Sequence, residues 1–258
     1  MTIRPARYAD LPAIAAVCAV ALEDELWGDL MHPLRAKFPT DFAQFWLRRT
    51  RENWWDYTRV WYVATTTEYI DGKEQEVVAG VAEWELRGSV QPAMAWWDPR
   101  KGIKPAMALY NSLSLFISPN RAANPHPKLA SPLYDSFPFF QHHWRGERAN
   151  TYFLDVLGVH PKYQGRGYGK ELVQWGIEQA QKQDVCVSLI SLAAGYGFYI
   201  WIGFDKEVGV CTEGEGNPLA DLGSGWILFK DPLRANDTDE VEEDRNTSVR
   251  RPLTDGSE

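Results

Sequence analysis

The sequence predicts a mixed α/β fold, on three observations. Runs rich in strand formers alternate with runs whose apolar residues recur at helical spacing. Two of the strand-like runs are joined through Asp71-Gly72, a pair suited to a tight hairpin turn. The apolar run at 152–159 (YFLDVLGV) passes through a glycine-rich turn directly into an amphipathic helical pattern. With 258 residues, 45% hydrophobic content and 12 tryptophans, the chain can bury a substantial core without staples.

In order along the chain, residues 3–6 form a first short strand, and Asp10 stands where it can cap a helix. That helix carries Leu11, Ile14, Ala15, Cys18 and Leu22 at helical spacing. A second helix is expected over 41–55, burying Phe42, Phe45 and Trp46. Residues 60–66 and 77–86 form an antiparallel hairpin. From 88 to about 149 the composition turns to proline, aromatics and histidine, with one helix-like piece at 106–116; a stretch this long reads as a lid or insertion. The strand at 152–159 follows, then a helix over 167–183 with Leu172, Val173, Gly176, Ile177 and Ala180 on one face. Residues 185–192, 204–210 and 226–229 are read as strands and 194–202 as a short helix. One domain is expected over 1–232, with the insertion at about 88–149 and a disordered acidic tail at 233–258.

The tail holds most of the charge. Of the formal net charge of −8, residues 235–258 supply eight acids against three arginines, which leaves −3 for the body. A body without a basic footprint is not expected to bind nucleic acid. Cys18, Cys186 and Cys211 are odd in number, share no C-x-x-C spacing and sit among apolar residues, so free buried thiols in a reducing compartment are expected. The opening residues MTIRPARYADLP place charges and a proline where a signal peptide needs an apolar run, and no stretch is long enough to span a bilayer. The expectation is a soluble cytoplasmic protein, the nucleus remaining open. His142 and His143 lack a third ligand at metal spacing, so no metal is expected.

Residues 160–172 (HPKYQGRGYGKEL) concentrate the chemistry. Gly165, Gly167 and Gly169 alternate with Arg166 and Tyr168 and lead to Lys170, bringing backbone N–H groups and positive charge close to an anion such as phosphate. A Walker loop is excluded, because Gln164 stands where its first glycine belongs and Glu171 where its hydroxyl residue belongs. The dinucleotide fingerprint fails as well, with Lys170 in place of its third glycine.

The order strand, Gln164-x-x-Gly167-x-Gly169, helix resembles the GNAT superfamily of acetyl-CoA-dependent N-acetyltransferases. IRPARYADLPAI is similar to that family's first strand and helix, and LDVLGVHPKYQGRGYG to its central strand and loop. AAGYGFYIWIGF, with Tyr199 four residues before Gly203-Phe204, resembles its closing helix. The resemblance covers about 1–89 and 150–230 and implies a central mixed, mostly antiparallel sheet with splayed middle strands and flanking helices. It implies acetyl-CoA as cosubstrate, without a metal, and direct acetyl transfer to a primary amine of a small molecule or a protein, by a monomer or homodimer.

The resemblance also implies roles for individual residues. Leu157 would offer a backbone N–H to the acetyl carbonyl, and Val159 a main-chain contact to pantetheine. Gln164, Gly165, Arg166, Gly167, Tyr168, Gly169 and Lys170 would hold the pyrophosphate at the helix N-terminus. Tyr199 is the candidate proton donor to the leaving thiolate, against the alternative of a core tyrosine. Asp155, which strand alternation puts on the same face as Leu157, is a candidate base, against the alternative of a structural carboxylate. Glu83, Glu85 and water are its rivals. Trp96, Trp97 and Trp144, together with acids on the central strands, suggest a small amine with an apolar body. A catalytically silent acyl-CoA-binding module on the same fold is the second reading.

Overall fold

The strands are β1 (Thr2–Pro5), β2 (Arg59–Ile70), β3 (Lys73–Arg87), β4 (Thr151–Val159), β5 (Cys186–Ser191), β6 (Lys206–Val210) and β7 (Trp226–Lys230). The helices are α1 (Leu11–Ala21), α2 (Pro39–Trp54), α3 (Arg100–Ile117), α4 (Pro132–Phe140), α5 (Tyr168–Lys182) and α6 (Ala193–Ile202). The computed structural model describes residues 1–126, 129 and 132–232, so the expectation of a disordered tail over 233–258 lies outside the described residues. Among the described residues no helix is long and apolar enough to cross a membrane.

All seven strands belong to one sheet in the order β1-β2-β3-β4-β5-β7-β6. Only β4 and β5 pair in parallel; every other neighbouring pair is antiparallel. The hairpin β2–β3 is longer than the two apolar runs suggested, and Asp71 and Gly72 close it with φ of 51° and 75°, the left-handed pair that a two-residue hairpin turn requires.

Each face of the sheet buries its own apolar cluster. On one face α1 and α2 cover it, through Leu11, Ile14, Cys18, Phe42 and Trp46 packed with Val81, Phe153 and Val156. On the other, α5 lays Leu172, Val173, Ile177 and Ala180 against Trp84, Leu154 and Leu228. Gly176 lets α5 approach this closely: a Cβ there would lie 2.2 Å from the Trp84 ring. Such burial, at about 25 cal/mol per Å² of apolar surface, is the main favourable term in folding. The three cysteines are free and buried, as the sequence indicated.

Three local features differ from expectation. Asp10 does not cap α1 through its side chain; its carboxylate accepts the Arg7 N–H at 2.7 Å and pairs with Arg4, closing the turn before the helix. Helix α3 starts six residues earlier than the pattern indicated, because Pro105 lies inside it and breaks the helical reading while removing one backbone donor. Helix α4 was not anticipated at all: PLYDSFPFF places proline at its first position, where a missing N–H is harmless, but the second proline and the aromatics hide the helical period.

Candidate active site

The strands β4 and β5 separate within the sheet. Their parallel pairing runs from Thr151 with Cys186 to Leu154 with Leu189 and ends there. Beyond it β4 keeps only its β3 neighbour, from Val156 with Glu83 to Val159 with Gly80, while Ile190 and Ser191 pair with β7. One edge of residues 155–159 is therefore without a strand partner at the middle of the sheet.

The register of β4 slips at the same place. Glu83 pairs with Val156 and Trp84 with Leu154, so Asp155 is the extra residue of a β-bulge. The bulge reverses the alternation that the sequence suggested. Val156 joins Phe153 in the cluster under α1 and α2, and Asp155 reaches α2, whereas Leu157 packs with the α5 cluster on the opposite face. Asp155 and Leu157 thus do not share a face.

Between β4 and α5 the chain makes one short turn, Pro161–Tyr163, and then the glycine stretch. The Gln164 side-chain amide donates to the Val159 carbonyl at 3.0 Å, tying the loop to the end of β4. Gly165 and Gly167 have φ of 73° and 86°, and Gly167 is the N-terminal cap of α5. A Cβ at either position would meet nothing within 4 Å, so backbone conformation and not internal packing requires glycine, and the space beside the loop is open. The first N–H groups of α5 point from its end without carbonyl partners inside the helix. Arg166 and Lys170 are exposed, their charges 5.7 Å and 5.4 Å from the rings of Tyr163 and Trp201.

Helix α6 faces the α5 terminus. Phe198 would lie 3.4 Å from a Cβ at Gly169, and Tyr199 is half-buried with its ring edge-on to Phe198 at 5.3 Å and Phe204 at 5.8 Å. The Phe204 N–H donates to the Tyr199 carbonyl at 3.0 Å, and Gly203 ends the helix with φ of 99°. Burial pushes the Tyr199 phenol above its ordinary value, so it stays protonated at neutral pH.

These elements border one cleft of about 2020 Å³. Leu157, Val159, Gln164, Gly165, Gly167, Tyr168, Gly169, Lys170 and Tyr199 line one end of it, and Asp155 lies on its wall. Of the catalytic and cofactor-binding residues expected from the sequence, Glu83 and Arg166 are not on that wall. The far end is built from α2, α3 and α4, through residues such as Arg48, Glu52, Asn111, Leu115 and Phe137. Its apolar wall comes from Trp27, Phe45, Phe137 and Phe153. Trp96 and Trp97 face solvent, and Trp144 is buried against Phe229 with its indole N–H donating to Ser188, so none of these three lines the cleft.

Under the bulge lies an ion-pair network that the sequence did not reveal. Arg49 of α2 donates to Glu83 at 2.5 Å and to Asp155 at 2.6 Å. Arg59 of β2 donates to Glu83 at 2.8 Å, to Asp155 at 2.6 Å and to Glu85 at 3.1 Å. Asn53 adds a third donor to Glu83, whose side chain is fully buried. Arg87 pairs with Glu85 at 3.1 Å and lies 3.9 Å from the Phe153 ring centroid. Three guanidinium groups thereby neutralise three carboxylates. Burial alone would raise the Asp155 carboxyl, but Arg59 and Arg49 outweigh it and hold the group down at about 2.

A different acid on the cleft wall has the opposite character. Asp24 precedes a helical turn at Glu25–Leu30 and accepts the Leu26 and Trp27 N–H groups at 3.1 and 2.8 Å, both on Oδ1. No guanidinium or ammonium pairs with it among the described residues. Burial, with smaller contributions from Glu25 and Asp29, pushes it up to about 6. The only sequence signal was an Asp ahead of a short apolar run, which reads as an ordinary cap.

Residues 131–204, from the start of α4 through β4, the glycine loop, α5, β5 and α6, match the acetyltransferase (GNAT) family. No curated protein matches the chain in sequence. Among solved structures, the chain is similar to one described as histone acetyltransferase HPA2 and related acetyltransferase from Corynebacterium glutamicum, at 19% identity and TM-score 0.47, over 90% of this chain and 97% of the other. It is also similar to the PaiA N-acetyltransferase of Thermoplasma acidophilum in complex with coenzyme A, at 12% identity and TM-score 0.44, over 90% and 99%. An N-acetyltransferase from Staphylococcus aureus Mu50 has 15% identity and TM-score 0.45, over 89% and 98%. Likeness at this level identifies no substrate.

Proposed function

We propose that this chain is a GNAT-type N-acetyltransferase that binds acetyl-CoA along the open edge of β4 and transfers its acetyl group directly to a primary amine. The observation that carries the proposal is the coincidence of three features at one end of the cleft: the unpaired edge at 155–159, the Gly165–Gly167 loop with open space beside it, and Tyr199. The cofactor supplies a thioester whose carbonyl an amine attacks and whose sulfur leaves as a thiolate.

The residues suit that ligand. The N–H groups at the start of α5, with the helix dipole behind them, would hold the pyrophosphate, and Arg166 and Lys170 stand nearby to neutralise it. The main chain at Leu157 and Val159 lies on the free edge, so a pantetheine arm would replace the missing strand there, with the Leu157 N–H directed at the acetyl oxygen. Tyr199 would donate its proton to the thiolate. A thiol of ordinary pKa ~8.5 leaves as a moderately stable anion, and because burial makes the Tyr199 phenol a weaker acid than usual, its role is to hydrogen-bond the leaving sulfur in the transition state and share its proton with it.

For the proton on the incoming amine, Asp155 and Glu83 are poor acceptors. Both are committed to Arg49 and Arg59, and Glu83 is off the cleft wall. We assign this role to Asp24, a cleft-lining carboxylate poised near 6, close to where a general base works best. In this reading Asp155, Glu83 and the two arginines brace β4 against α2. The insertion, through α3 and α4, forms the acceptor end of the cleft.

The test is release of free CoA thiol from acetyl-CoA across a panel of amines: polyamines, aminoglycosides, amino acids and lysine peptides. Acetyl transfer to one class is the expected result. Binding of acetyl-CoA without thiol release above background for any amine would instead support a silent acyl-CoA-binding module.

A further inference from the structure

Away from the cleft, the fold assembles a donor set that sequence spacing does not show. His142 and His143 occupy a single turn after α4, and Glu213 lies in the connection after β6. The Nε2 atoms of His143 and His142 lie 3.0 and 3.4 Å from the same Glu213 Oε1, and one ligand atom from each of the three residues falls within 4.8 Å of the others. Adjacent residues in a turn would ordinarily direct their rings apart. Here the two imidazoles lie 4.0 Å apart, centroid to centroid, and converge on one oxygen.

We propose that His142, His143 and Glu213 bind one zinc-class divalent cation. Bonds of ~2.0–2.1 Å at tetrahedral angles put neighbouring ligand atoms ~3.3 Å apart, and the histidine nitrogens lie 3.0 and 3.4 Å from the carboxylate oxygen. Two neutral imidazoles and one carboxylate are a recognised set for such ions, with the fourth position left to water. That position is accessible, since the His142 side chain is 45% exposed while His143 is 13% exposed.

The surroundings hold the donors in place. Gly209 of β6 makes room for His143, whose Nε2 would lie 2.5 Å from a Cβ there. Asn217 donates to the carbonyls of Glu213 and Cys211 at 2.7 and 2.9 Å, fixing the loop that carries the carboxylate. Phe139, at the end of α4, packs over Gly214. A cation at this point would clamp the turn after α4, a helix whose Leu133 and Phe137 line the cleft, onto the β6–β7 connection.

The experiment is calorimetric titration of ZnCl2 into the tag-free full chain after chelator treatment, with parallel thermal unfolding. One zinc per chain is expected, with a rise in Tm that excess chelator reverses. Glu213→Gln keeps the side-chain shape and His142→Ala alters an exposed group, so both variants should fold and each should bind zinc about 100-fold more weakly, as loss of a direct ligand costs at least what loss of its supporting group does. His160→Ala, remote from the cluster in sequence, should bind like the parent. The proposal is overturned if the folded parent takes up no zinc, or if Glu213→Gln and His142→Ala bind it as the parent does.

Discussion

Replacing Tyr199 by phenylalanine is expected to lower kcat by about ten- to a thousand-fold, the span of typical proton-donor contributions, while acetyl-CoA affinity stays nearly unchanged. The substitution removes only the hydroxyl. The ring keeps its edge-on contacts with Phe198 and Phe204, and the Tyr199 carbonyl keeps its bond from the Phe204 N–H, so α6 and the neighbouring wall of the cleft should be undisturbed. Steady-state kinetics with the preferred amine, beside calorimetric titration of acetyl-CoA, separates the two parameters. An unaltered kcat would leave Tyr199 as a packing residue, and a parallel loss of affinity would mean that it acts through cofactor binding.

The second large effect concerns stability and separates two acids. Asp155→Asn leaves Arg49 and Arg59 short of one charge in a buried network, and breaking such a pair costs about 3–5 kcal/mol. The Asp155 carboxyl is held at about 2 in the folded protein. This is below the ~3.9 of an unfolded chain, so its contribution is complete above pH ~4 and fades as pH falls toward 2. Urea unfolding across that window should show a steep loss of stability in the parent and a shallower one in Asp155→Asn. The pH dependence of kcat/KM should respond the other way. If Asp24 accepts the amine proton, the parent's activity rises as pH passes through about 6. Asp24→Asn removes that limb and Asp155→Asn leaves its midpoint in place. A midpoint that moves in Asp155→Asn and persists in Asp24→Asn would restore Asp155 as the base.

Much of this site was legible in the sequence because it is local. The strand at 152–159, Gln164, the alternating glycines, the α5 face and Tyr199 with Gly203-Phe204 all declare themselves within a few residues. The elements they predict are present and meet at one cleft. The bulge at Asp155 was not legible, since it arises where the β3 register slips between Glu83 and Trp84 and leaves no mark in the β4 residues themselves. That one extra residue moved Asp155 to the α2 face. The partners of Glu83 and Asp155 were hidden for a related reason: Arg49 lies 34 and 106 residues from them and reads as an ordinary helix-surface charge. The insertion was recognised by composition, but its prolines concealed α4 and the first six residues of α3, and only the fold brought Glu213 to His142 and His143.

The most direct test of the central claim is thermal unfolding of the purified protein with and without acetyl-CoA, with ATP and NAD as controls. A ligand held only by the folded state at about a hundredfold over its Kd adds about 2.7 kcal/mol, which for a domain of this size corresponds to a rise in Tm of several degrees. The account predicts that rise with acetyl-CoA and none with ATP or NAD. A folded protein whose Tm does not move with acetyl-CoA, or moves equally with ATP, would contradict it.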